Sequence, residues 1–304
     1  MWIEKSSYAF RYGKKPEERS IEELLKNGFI VLDKWAGPTS HDVVATVKKI
    51  LERKKAGHTG TLDPQVTGVL PIFLDNACKA VPVLHGADKE YVGIMHLHKD
   101  VADEELEKAV KKYTGKIEQK PPVRSAVKRE KRKREIFSFE ILDRKERDVV
   151  FRVSCEAGTY IRVLCHQIGS EIGGAHMKEL RRIRAGPFSE EEAVRSQDLA
   201  DAYIYWKEGR EDIRNFVKPV EYALRDTKKI IIKDSAIEKI MNGAPLYYSG
   251  VCKFSKGIKK NSLVAIMSGK GELVALAKAN FDDDIKSGVA AKPDRVIMSR
   301  KLDS

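Results

Sequence analysis

The order of apolar runs constrains this chain more tightly than any other feature. Phe29 to Leu32, Val69 to Leu74, Tyr91 to His98, Ile136 to Leu142 and Val149 to Cys155 have the length and apolar character of strands. Helical stretches fall among them: Ile21 to Asn27, stopped by Gly28; a helix that Ser40 is placed to cap, with Val43, Val44, Val47, Ile50 and Leu51 on one stripe; Glu104 to Tyr113; and Tyr160 to Ile172, ending at Gly173-Gly174. The two kinds of run do not alternate regularly. A doubly wound sheet is therefore disfavoured and an α+β domain is expected. Beyond about residue 215 the texture changes. Ile230 to Ile232, Leu263 to Met267 and Leu273 to Leu276 are short runs separated by Gly, Ser and Lys, the pattern of a small β-rich barrel. The expected organisation is an N-terminal extension (1–20), a main domain (21–220) and a C-terminal module (227–304).

Charge indicates what such a chain meets. Lys and Arg number 57 against 45 Asp and Glu, a net +12 that points to a polyanionic partner. From Thr227 onward there are 15 basic and 8 acidic residues, so the C-terminal module is disproportionately basic. Lys128 to Arg134 (KREKRKR) and the cluster Arg181, Arg182 and Arg184 are further candidates for contact with a nucleic-acid backbone. No apolar run approaches the ~20 residues of a membrane span, and the opening MWIEKSSYAF lacks a secretory core, so a cytoplasmic protein is expected. Cysteines 78, 155, 165 and 252 form no C-x-x-C pair and read as reduced, mostly buried thiols. His96 and His98 have a spacing that can hold a metal, but no third ligand is evident and no metal is expected. Tyr203 and Trp206, three apart on a helix, read as core packing.

Residues 57–64, GHTGTLDP, concentrate the chemistry. Gly57 and Gly60 bend the chain, and Pro64 biases Asp63 towards an extended or turn conformation. No Gly-Lys-Ser/Thr follows, so the loop is not a nucleotide P-loop. Asp63 can be a nucleophile, a general base or a salt-bridge partner. Arg162 in AGTYIRVL, if close, favours its ionised form, and Tyr91 in KEYVG can stack on a planar base. The absence of a second carboxylate in comparable context argues against ordinary two-carboxylate glycoside hydrolysis.

Taken in order, GHTGTLDP, KEY, GTYIR and HMKELRRIRAGPF resemble the motifs of the TruB-type pseudouridine synthases, and within them the dyskerin type of archaeal box H/ACA ribonucleoproteins. PPVRSAVKR (121–129) and KIIIKDSAIEKIMNGAPLY (229–247) extend the resemblance over nearly the whole chain. It implies a mixed-sheet catalytic domain followed by a PUA pseudo-barrel that binds RNA. It implies that Asp63 is the catalytic aspartate, Tyr91 the tyrosine packed on the target base and Arg162 the partner of Asp63. His58, Thr59, Gly60, Leu180 and Lys34 fall in the substrate-binding set, Leu180 lining the pocket and Lys34 holding a structural position. The implied reaction turns uridine into pseudouridine and conserves every atom, so it demands no cofactor. The implied partners are guide RNA, rRNA or tRNA substrate, and box H/ACA proteins. The short segment between Lys128 and Gly158 favours guide-dependent action. A stand-alone tRNA synthase and a non-catalytic RNA scaffold are the alternatives. Two positions depart from the family pattern: Lys34-Trp35-Ala36-Gly37 replaces the usual Lys-Pro-x-Gly, and Asn261-Ser262 stands where Gly-Asp is common.

Overall fold

A computed structural model describes residues 1–5, 8–121, 130–282 and 287–298. Its larger sheet has the spatial order Lys218–Pro219, Gly28–Lys34, Thr67–Leu74, Ala175–Ala185, Lys89–Leu97, Asp148–Cys155, Arg132–Lys145 and Gly115–Gln119. Ala56–His58 adds to Thr67–Leu74, and Phe188–Ser189 to Ala175–Ala185. Thr67–Leu74 and Ala175–Ala185 run parallel while the other pairs are antiparallel, so the sheet is mixed and the fold α+β. Burial alternates residue by residue along Lys89–Leu97, which turns one face of this central strand to the core.

Two helical layers cover the sheet. Ile161, Leu164, Cys165 and Ile168 of the helix Ile161–Glu171 pack with Leu106 and Val110 of the helix Asp103–Lys112 against Met95, Phe151 and Val153. At the other end, Val43 and Val47 of the helix Ser40–Ile50 and Leu199, Ala202 and Tyr203 of the helix Ser196–Lys207 cover Ile30, Leu32, Leu70 and Ile72. Thr39, not Ser40, caps the first of these: its hydroxyl accepts from Asp42 N at 3.2 Å, and Asp42 closes a capping box. Ser40 has another task, described below. Tyr203 is buried and its ring meets that of Trp206, as core packing predicts. The strands Arg132–Lys145 and Asp148–Cys155 form a tight hairpin through the charged stretch DRKER (143–147). Both strands run on through the charges, and Glu146 takes the left-handed backbone of the turn at φ 55°.

The smaller sheet has the order Trp2–Glu4, Val251–Ser255, Lys229–Ile232, Leu263–Met267, Leu273–Ala279, Val289–Val296 and Leu246–Tyr247. Ile230, Ile232, Phe254, Val264, Ile266 and Val274 fill it, closed by Ile237 and Ile240 of the helix Asp234–Met241. Asn261 supplies a left-handed turn (φ 65°) where a glycine is common, a conformation that Asn tolerates better than most residues. The start of the N-terminal extension joins this sheet. Trp2, Ile3 and Glu4 pair with Ser255, Phe254 and Lys253 as the outermost strand of this sheet. Three of the cysteines are buried and Cys78 is half-buried, all as free thiols; burial pushes Cys155 and Cys165 up to about 12.

The two sheets share one apolar seam, in which Phe29, Val31, Val69 and Phe73 meet Ile231, Ala265, Met267 and Leu276. A buried charge network locks it. Arg19 donates to Glu221 at 2.8 and 2.7 Å and to Glu272 at 3.3 Å, while Glu221 also accepts from Leu273 N at 2.8 Å. Burial pulls the Arg19 guanidinium down, but the two carboxylates outweigh it and hold it above its ordinary value. Replacing Arg19 with Ala strands Glu221 in the seam and is expected to cost about 3–5 kcal/mol in a urea-unfolding measurement. A loss below about 1 kcal/mol, the level of an exposed pair, would contradict this account.

Candidate active site

The loop from His58 to Val66 contains little regular structure, and buried side chains fix its course. Lys34 is fully buried at the end of its strand, and its ammonium donates to the carbonyls of Trp35 (2.9 Å), Pro64 (2.8 Å) and Val66 (2.9 Å). Ser40 is buried too. Its hydroxyl donates to Leu62 O at 3.1 Å and accepts from Leu62 N at 2.8 Å. Gly37 N reaches Pro64 O, and Val66 N closes a turn on Asp63 O. Asp63 is held from both sides, while its own carboxylate is about half exposed.

Arg162 comes from the first turn of the helix Ile161–Glu171. Gln119, buried at the end of the edge strand, pins that turn by accepting from Tyr160 N at 2.9 Å and donating to Tyr160 O at 3.2 Å. The Arg162 guanidinium lies 3.4 Å from the Asp63 carboxylate, so residues 99 positions apart form the ion pair that the motifs predict. Both groups are about half exposed, and such a pair contributes little to stability.

Beneath the loop, Tyr91 is buried in one cluster with Leu62, Val66 and Ile161, and Leu180 packs against that cluster. Gly93 leaves space for Leu180, since a Cβ there would stand 2.8 Å from Leu180 Cδ1. Behind Tyr91 lies Arg182, 1% exposed, donating to Val69 O at 2.8 Å and Gly60 O at 3.1 Å. The expected basic contact surface at 181–184 is therefore corrected. Arg182 is buried, Arg181 pairs with Asp33 and Glu190, and Arg184 pairs with Glu90. The backbone comes so close to Arg182 that a Cβ at Gly68, where φ is +101°, would lie 2.2 Å from Arg182 O. Burial depresses the Arg182 guanidinium and raises the Tyr91 phenol, and the contact between them partly offsets both. Lys89, also buried, donates to the carbonyls of His85 and Ala87; burial and the nearby Arg182 bring it down to about 8.

The remaining expected residues divide by exposure. Thr59 and Lys34 are buried and frame the loop rather than line an open surface. His58 is partly buried, its Nδ1 accepting from Gly60 N at 3.2 Å, and burial, Arg182 and the neighbouring His41 and His85 lower it to about 4. Of the KREKRKR run, Lys128 and Arg129 lie outside the described residues, as does most of PPVRSAVKR; Lys131 and Lys133 are exposed. At the far end of the central strand His96 pairs with Asp148 at 2.6 Å and His98 meets His176 at 2.9 Å. Among the described residues no group of three or more His, Cys, Asp or Glu is placed to hold a metal. Sequence reasoning missed Ser40, Gln119, Lys89 and the buried role of Arg182. Only Arg182 left a signal, its position in HMKELRRIRAGPF two residues beyond Leu180.

Comparisons with known proteins agree with this geometry. The chain matches the TruB family pseudouridylate synthase N-terminal domain over residues 48–161 and the tRNA pseudouridylate synthase B C-terminal domain over 162–225. It matches the PUA domain over 228–297 and the DKCLD domain over 1–44. It is 50% identical over 296 residues to the probable tRNA pseudouridine synthase B of Methanocaldococcus jannaschii, covering 95% of this chain and 88% of that protein. It is 53% identical over 295 residues to the protein so named from Methanopyrus kandleri, covering 95% and 87%. A chain from an H/ACA RNP bound to a substrate RNA containing 2′-deoxyuridine superposes with a TM-score of 0.91 at 45% identity, covering 99% of this chain and 95% of that one. A chain from a Cbf5-Nop10-Gar1 complex gives 0.89 at 47%, covering 97% and 92%. Fold and site thus define a base-isomerising enzyme with an appended PUA domain. The chain belongs to the TruB family of pseudouridine synthases.

The depressed His58 gives a pH prediction. Unfolded, it binds a proton below about 6.5; folded, it does so only below about 4. The unfolded state therefore carries more protons between those values, and stability falls as pH drops through that window. His58→Gln is expected to flatten this part of a stability–pH curve, measured by urea unfolding at several pH values, relative to the parent. Superimposable slopes would show that His58 is not buried as described.

Proposed function

We propose that this pseudouridine synthase modifies ribosomal RNA at uridines selected by a box H/ACA guide RNA, working with the proteins of that ribonucleoprotein. The observation that carries the reading is the likeness, across the whole chain, to subunits solved within H/ACA assemblies, one of them with substrate RNA. On this reading residues 21–220 carry the chemistry and residues 227–304 hold RNA, joined by the first 20 residues. The four free thiols suit a cytoplasmic setting. Action on tRNA is the second reading, favoured by the names of the relatives from M. jannaschii and M. kandleri.

On this reading each residue of the site takes a role that the geometry supports. The uracil leaves its stack, which costs a few kcal/mol, and enters the space bordered by Asp63, Tyr91 and Leu180. The N1–C1′ bond breaks, the base turns, and C5–C1′ forms, with the C5 proton lost and a proton gained at N1. Asp63 supplies the carboxylate that acts as nucleophile or base. Arg162 orients it at 3.4 Å. Tyr91 packs on the base, and Leu180 completes the apolar wall. His58, neutral over the working pH range, borders the loop without adding charge. Lys34, Thr59 and Gly60 keep the loop in place.

A tritium-release assay on rRNA and tRNA fragments, with and without guide RNA and partner proteins, tests the reading. Release from rRNA that appears only with guide and partners supports it; release from free tRNA alone supports the second reading. Asp63→Asn keeps the volume and removes the charge, and is expected to lower turnover by at least about a thousandfold with RNA affinity preserved. Arg162→Met is expected to cost about a hundredfold in kcat, because one charged group that positions the reacting carboxylate is gone. Asp63→Asn turnover within tenfold of the parent would remove Asp63 from the mechanism.

A further inference from the structure

Trp35 stands where the family motif usually has proline, and it lies at the edge of the active-site loop. Lys34 holds the carbonyls of Trp35 and Pro64 with one ammonium, at 2.9 and 2.8 Å, and Gly37 N donates to Pro64 O at 2.9 Å. The backbone of Trp35 is therefore fastened to the residue that follows Asp63. On the far side of the turn Gly37 takes a positive φ (+114°) and Pro38 fixes its own φ. The indole is nevertheless 38% exposed.

The other two tryptophans each have a partner, although Trp2, at 42%, is as exposed as Trp35. Lys253 lies over Trp2, while Lys207 and Tyr203 lie against Trp206. Among the described residues no ring or cation packs on Trp35. A partly exposed indole on an anchored backbone thus stands at the edge of a loop that, on the reading above, receives an unstacked nucleobase, in a chain of net charge +12. Nucleobases of every kind stack on such a face.

We infer that Trp35 is a stacking platform for the RNA base next to the uridine that reacts. The inference rests on the functional reading above, in that RNA must enter past Asp63. The position makes Trp35 a determinant of substrate affinity that is separate from the chemistry of Asp63. The alternative is an indole that only shields Lys34 from solvent.

Binding of a fluorescein-labelled, unmodified tRNA transcript and of an rRNA fragment annealed to its guide RNA tests this with the full-length protein. Stacking of one base corresponds to about 5- to 150-fold in affinity, so Trp35→Ala is expected to weaken binding about tenfold, with the loss appearing in KM. Trp35→Phe, which keeps a π-face, is expected to restore most of it. RNA is expected to quench the tryptophan emission of the parent and to quench Trp35→Phe much less. Equal losses in the Ala and Phe variants, or a lowered thermal midpoint in both, would assign Trp35 to loop packing and overturn the inference. If the parent isomerises uridine and Trp35→Ala matches it in affinity and KM, stacking is overturned while the functional reading stands. If the parent isomerises nothing, the functional reading fails first and takes the inference with it.

Discussion

Two buried cations that bond to carbonyl oxygens determine the shape of this active site. Lys34 gathers three carbonyls around the turn after Asp63, and Arg182 ties Gly60 and Val69 together from below. Among the described residues neither forms an ion pair with a carboxylate. Burying a cation in this way is costly unless its hydrogen bonds are satisfied, and burial lowers the pKa of both groups. The arrangement offsets that cost with backbone dipoles that an irregular loop must satisfy in any case. A loop with no ladder of its own is thereby tied to the sheet behind it. Removing either cation would leave several carbonyls buried without partners, so the loop and its clamps stand or fall together.

The same clamps shape the chemistry. Cleavage of a glycosidic bond leaves electron density on the base. Arg182 and Lys89 lie behind Tyr91 and Gly60, and Arg162 lies in front beside Asp63. Fixed positive groups around a partly enclosed site need no reorganisation when negative charge develops there, and their effect is greater than it would be in water. Asp63 is the one acidic group that the loop presents to this basic surround. Arg182 therefore belongs both to the structural clamp and to the electrostatic field.

How much of this could be read in the sequence depended on how local each feature is. The strands and helices were visible because their period is local, and Asp63, Tyr91 and Arg162 because each sits in a distinctive motif. The ion pair between Asp63 and Arg162 rested on the family resemblance, since nothing in residue spacing places a helix N-terminus against a loop 99 positions earlier. Ser40 was misread for a physical reason. Ser and Thr are both good caps, and the adjacent Thr39 took that place, which freed the Ser40 hydroxyl to hold Leu62. Arg182 was misread because a run of arginines looks like a solvated patch. Strand pairing opposite Tyr91 sends Arg182 inward, while its neighbours Arg181 and Arg184 find carboxylates at the surface. The pairing of the N-terminal segment was not legible because strand Trp2–Glu4 is only three residues long, and its partner lies some 250 residues away.

That long-range pairing bears on how affinity and chemistry are divided. Extracting a base from its stack costs a few kcal/mol, which contacts at the proposed site around Tyr91 and Leu180 would not offset alone. The remainder has to come from contacts with the RNA backbone at a distance, and the basic excess after Thr227 is suited to supply them. Energy gained on the smaller sheet helps at Asp63 only if the two surfaces keep a fixed separation. A flexible linker would let the protein bind RNA without placing a uridine in the pocket. The apolar seam, the Arg19–Glu221–Glu272 network and the N-terminal strand remove that freedom. Remote binding energy can then be used to hold the base in the geometry the reaction needs, and for that reason the domains of this chain are fused rather than tethered.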